Sequence, residues 1–134
     1  MKILEIYVAG KFEEKDLILE TYRELKQIGH KVAYDWTKHK LIKPYSENQE
    51  IARTYSENEL QGISNSDVFI YLSCEKGTTL PMEFGAALTS SLIKGKPLIY
   101  AVGKFNTKSP WFFNKRVIRK ESIKEVINEL KNLK

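Results

Sequence analysis

Two carboxylates, Glu83 and Glu59, are the residues of this chain whose type and setting best suit chemistry. Glu83 lies in the stretch KGTTLPMEFGAAL, Lys76 to Leu88. A helix is expected to open there at Pro81, a residue suited to a first helical turn. Small neighbours at Gly85, Ala86 and Ala87 permit close approach by a ligand or another chain. Taken alone, a glutamate in a first turn simply complements the helix dipole, which favours the ionised carboxylate. An ionised, partly desolvated carboxylate is also a competent nucleophile toward an electrophilic sugar carbon. Glu59 shares a helix face with Tyr55 and Ile63. Alone it reads as a boundary glutamate reaching solvent past an apolar face. Two carboxylates converging on one site would fit glycosyl chemistry, one attacking or stabilising charge and the other handling protons or hydroxyls.

Other candidates are weaker on sequence grounds. Tyr7 sits in a β-rich run and reads as core. Lys11, with the backbone after Gly10, could hold a phosphate, although a lone loop lysine is more often solvated. Trp36 could stack on a base or be half-buried at a strand end. Asp67 reads as a turn residue. Cys74 ends a strand with no evident histidine partner. AGKFEEKD has one glycine where a dinucleotide fingerprint needs three, and no Walker-type loop is present. His30, His39 and Cys74 show no zinc-ligand spacing, so no metal or cofactor is expected.

The elements that must position these groups alternate. Ile3–Ala9 reads as a first strand, followed by a helix over Glu14–Ile28 with Ile18, Tyr22, Leu25 and Ile28 on one face. A second strand is expected over Lys31–Trp36, then a polar loop, Thr37 to Ser46, and a helix over Glu47–Ser64. Val68–Ser73 is the continuous apolar run of a strand buried on both faces. A helix over Pro81–Lys94 packs through Phe84, Ala87, Leu88, Ser91 and Leu92. Then come a strand over Pro97–Val102, an aromatic loop, a short edge strand at Arg116–Arg119 and a closing amphipathic helix with Ile123, Val126, Ile127 and Leu130. Such alternation predicts one α/β domain over residues 1–134, doubly wound, with a mostly parallel five-stranded sheet and helices on both faces. Ligands in such sheets bind beyond the strands' carboxyl ends. That places Gly10–Glu13, Trp36–Pro44 and Cys74–Leu80 at the expected site.

The chain has 134 residues, enough to bury a core as a single domain. Its net charge of +5, from 22 basic and 17 acidic residues, fits an anionic small molecule better than nucleic acid. No apolar run approaches membrane-spanning length. A single cysteine excludes an internal disulfide, and with no evident export signal the cytoplasm is the expected compartment.

Three ordered segments carry a family resemblance: IYVAG (Ile6–Gly10), ENELQGISNSDVFIYL (Glu57–Leu72), and KGTTLPMEFGAAL followed by KGKPLIY (Lys94–Tyr100). Together with HKVAYDWT (His30–Thr37) they resemble the nucleoside 2-deoxyribosyltransferase family, which includes the 2'-deoxynucleoside 5'-phosphate N-hydrolases. The resemblance implies a flavodoxin-like sheet and a site often completed by a second subunit, hence a homo-oligomer, dimer or higher. It implies that Glu83 attacks C1' of the deoxyribose, that Tyr7 orients Glu83, and that Glu59 binds sugar hydroxyls. The loop Gly10, Lys11 and Phe12 would hold the substrate's 5' end. With Trp36 and the Gly77-Thr78 turn, these residues complete the expected substrate contacts. Here Thr79 to Met82 lengthen the segment between that turn and Glu83 by two residues relative to the family pattern, and Glu59 stands where aspartate is common. The expected activity is cleavage or transfer at the N-glycosidic bond of a 2'-deoxynucleoside or its 5'-monophosphate, with hydrolysis slightly favoured. A non-catalytic nucleotide-binding module on the same fold remains the alternative.

Overall fold

The computed structural model describes residues 2–133. Its five strands are β1 (Glu5–Ala9), β2 (Lys31–Val32), β3 (Val68–Leu72), β4 (Leu98–Val102) and β5 (Val117–Lys120). Its four helices are α1 (Lys15–Gln27), α2 (Gln49–Asn65), α3 (Thr79–Lys94) and α4 (Ile123–Lys131). The strands form one sheet in the order β2-β1-β3-β4-β5, and every pair is parallel. The predicted doubly wound, five-stranded architecture is therefore present. Strand order reverses between β1 and β3, which is where such sheets open a crevice.

Helices α1 and α4 pack together, as do α2 and α3. Residue periodicity explains the layers. In α1 the buried residues are Ile18, Thr21, Tyr22 and Leu25, one stripe of a 3.6-residue helix. All five residues of β3 are buried, which matches its unbroken apolar sequence. Helix α4 opens with a capping box between Ser122 and Glu125. Gly29 and Gly95 end α1 and α3 with φ of 96° and 80°, a left-handed turn that other residues adopt only with strain. Among the described residues no helix is long and apolar enough to cross a membrane.

Several boundaries differ from the sequence reading by a residue or two, and β2 by more. β2 has two residues rather than six, because the chain leaves the sheet after Ala33 donates to the Ile6 carbonyl. Asp35 then accepts the Thr37 N–H and turns Trp36–Lys38 into a short 3-10 helix. β5 and its pairing with β4 begin one residue later than expected. Most important, α3 begins at Thr79, not Pro81. Pro81 still falls within the first turn, where its missing N–H removes no helical bond. The earlier start adds Leu80 to the buried stripe of Phe84, Ala87 and Leu88, while Leu92, expected in that stripe, is 61% exposed.

Candidate active site

The site begins with β1. Tyr7 is fully buried, and its ring stacks on Phe69 of β3 at 5.7 Å between centroids. That packing turns the phenol toward the face covered by α2 and α3. There its hydroxyl donates to Glu83 Oε1 at 2.9 Å. Glu83 lies in the second turn of α3, one position from the buried Phe84. Its spacing from Leu80 and Ala87 puts it on the edge of the stripe that packs inward, where an apolar residue would ordinarily stand. The two residues that lengthen the segment before it are absorbed as helix, so they do not form a longer loop.

Helix α2 comes close to Tyr7 because residue 62 is glycine. A Cβ there would lie 2.6 Å from Tyr34 Cβ and 3.3 Å from the Tyr7 ring. One turn earlier, the same helix presents Glu59, whose side chain is 20% exposed. The charge of Glu59 reaches Glu83. Burial pushes Glu83 up to about 8; the charge of Glu59 adds to this, and the Tyr7 hydrogen bond acts against it. Burial pushes Glu59 up to about 7. Tyr7 is raised well above its ordinary range by burial, and then by the charges of Glu83 and Glu59. The sequence-based expectation that the dipole keeps Glu83 ionised is corrected here. In the second turn the dipole is weak, and desolvation with a neighbouring carboxylate outweighs it. Interacting carboxylates with raised proton affinity titrate as a pair.

A second cluster borders Glu59. The His39 ring stacks on Tyr55 of α2 at 3.7 Å and 1° between planes. His39 Nε2 shares a hydrogen bond with the Tyr34 hydroxyl, and Nδ1 lies 3.8 Å from Glu59 Oε2. Burial lowers the proton affinity of His39, opposed by the charge of Asp35.

The expected substrate contacts fall as follows. Gly10 follows β1, and a Cβ there would meet Ile18 Cδ1 at 2.7 Å and Leu72 Cδ1 at 3.0 Å. Its lack of a side chain therefore serves the packing of α1 against the strand ends. Lys11 and Phe12 lie just beyond, with Phe12 39% exposed. Gly77 and Thr78 are exposed at the entry to α3, and the Thr78 side chain makes no capping bond. Trp36 is 7% exposed, and its indole N–H donates to the Val8 carbonyl at 2.7 Å. The ring anchors the loop after β2 to β1 and leaves little surface on which a base could stack. In the aromatic loop, Phe112 packs on Phe84 and Tyr71, while Trp111 and Phe113 are 56% and 57% exposed.

Sequence reasoning missed His39, Tyr34 and Gly62. Only Gly62 carried a local signal, as a glycine inside an otherwise helical pattern, which usually marks a close approach.

No family model matches the chain, and no curated protein matches it. Among solved structures it is similar to the Clostridium botulinum CMP N-glycosidase BcmB, with a TM-score of 0.62 at 16% sequence identity. That likeness covers 96% of this chain and 99% of the other. At this identity what the two share is the fold, and the fold is flavodoxin-like.

Proposed function

We propose that the protein cleaves the N-glycosidic bond of a 2'-deoxynucleoside or its 5'-monophosphate, with Glu83 as nucleophile at C1'. The observation that carries this reading is the buried Tyr7 hydroxyl donating to Glu83 Oε1 while the charge of a second carboxylate, Glu59, acts on Glu83. Tyr7 aims Glu83 and favours its ionised form. Glu59 binds the sugar hydroxyls and, with its proton affinity raised by burial, is placed to serve the leaving base. Water then releases the sugar from Glu83; hydrolysis is favoured over transfer to another base.

A 5'-monophosphate is the preferred substrate class. Lys11 stands at the carboxyl end of β1, and the similar solved structure is of a CMP N-glycosidase. Exposed Trp111 and Phe113 support a homo-oligomer, and the balance of charge supports a small anionic ligand rather than nucleic acid. The proposed compartment is the cytoplasm.

The test is incubation with deoxynucleosides, their 5'-monophosphates and CMP, with released base followed by chromatography. Release by the wild type and its loss in Glu83→Ala support the reading. No release from any substrate, or equal release by the variant, overturns it. A nucleotide-binding module without turnover is the second reading. It is favoured by the burial that holds Glu83 largely protonated at neutral pH.

A further inference from the structure

Departure of a neutral base leaves a negative charge on its nitrogen unless a proton arrives, and Glu83 and Tyr7 are already engaged with each other. Glu59 is the carboxyl whose charge acts on both of them. The groups facing it are Glu83 from α3, Tyr7 from β1, and His39 from the loop after β2. His39 is itself held on three sides. Tyr55 of α2 stacks on its ring, the Tyr34 hydroxyl meets Nε2, and Asp35 acts on it by charge. The Tyr34 contact leaves Nδ1 directed at Glu59. A solvated loop histidine needs no such support. A flat stack at 3.7 Å with a hydroxyl on the far nitrogen fixes both the position and the rotation of the ring.

We propose that His39 is a positioning residue that orients the Glu59 carboxyl for proton delivery to the departing base. This rests on the glycosidase reading above. In the first step the Glu83 oxygen bonds to C1', the C1'–N bond breaks toward the base, and that nitrogen takes the proton of Glu59. In the second step water attacks C1', the bond to Glu83 breaks toward the carboxylate, and the water's proton returns to Glu59. His39 undergoes no net proton change; it holds the carboxyl that does.

The experiment compares two leaving groups, guanine and 7-methylguanine, each on 2'-deoxyribose 5'-monophosphate. The methylated base departs from a cation and needs no proton. His39→Phe preserves the stack on Tyr55 and removes both nitrogens. It is expected to lose about 100-fold in kcat on the unmethylated substrate and under about tenfold on the methylated one. Tyr34→Phe is expected to show the same pattern at smaller size and stands in if the first variant folds poorly. Equal losses on both substrates, or no loss on the unmethylated one, overturn the proposal. If the wild type cleaves nothing in the panel above, the glycosidase reading has failed; in that case, or if it cleaves the panel but neither guanine substrate, a ligand-free measurement decides the coupling. Glu59→Gln is then expected to move the NMR titration of His39 by about half a pKa unit or more. An unmoved titration overturns the pairing itself.

Discussion

The Tyr7 hydroxyl donates to Glu83 Oε1 at 2.9 Å, across 76 positions of sequence, in a setting where the tyrosine ring is wholly buried. This bond fixes the carboxylate's aim and offsets part of the cost of ionising it. Tyr7→Phe keeps the stack on Phe69 and removes only the hydroxyl. It is expected to lower kcat by about 10–100-fold, equivalent to a bond to a charged group. The rise of activity with pH that reports Glu83 ionisation is expected to move to higher pH. Steady-state rates between pH 5 and 10 check both effects.

The same burial makes a stability prediction. Glu83 is raised in the folded protein from an ordinary carboxyl value to about 8, so the folded state holds its proton more tightly than the unfolded chain. The stability this provides is full below the unfolded value and is lost as pH rises through about 8. Glu83→Gln removes the penalty of burying charge. The variant is expected to match the wild type near pH 4 and to exceed it at pH 9 by about 1–3 kcal/mol. Urea unfolding at the two pH values measures the difference.

Gly62 allows α2 to close on Tyr7. Gly62→Ala brings a methyl within 2.6 Å of Tyr34 Cβ and against the Tyr7 ring. Overpacking of this kind costs about 1–3 kcal/mol, against up to about 1 kcal/mol of improved helix propensity. Net destabilisation with a larger loss of kcat than of binding is expected, because Tyr7 is displaced from Glu83. Thermal unfolding together with kinetics checks the pair of effects.

Trp36 and Val8 separate anchoring from substrate contact. Trp36→Phe keeps much of the buried ring but leaves the Val8 carbonyl without its donor. A loss of about 1–3 kcal/mol in stability is expected, with KM little changed. A large rise in KM at unchanged stability would instead assign the indole to the base.

Much of the frame was legible because the signals are local. The apolar run at β3, the stripe of α1 and the Ser122–Glu125 box at α4 each report on their own element. Glu83 and Glu59 were also readable as a pair of carboxylates at the right edge of the sheet. Their proton affinities were not, since their burial and the charge of Glu59 on Glu83 arise only when α2 and α3 pack side by side. His39 was illegible for the same reason. It sits in a polar loop, and its stacking partner is 16 positions away and the carboxylate it faces 20 away, both on another element. KVAYDW reads as a strand on the strength of Val32, Tyr34 and Trp36. The Asp35 side chain turns the chain there, and a single indole bond to Val8 sets where the loop lies.

Under the proposed reaction Glu83 becomes covalently bound to the sugar during turnover. Acid quench during turnover, followed by mass spectrometry of the proteolytic peptide carrying Glu83, tests it directly. A deoxyribosyl or deoxyribosyl-phosphate ester is expected on Glu83, appearing with the burst of free base and absent from Glu83→Gln. Base released at full rate with the Glu83 peptide unmodified throughout would contradict it.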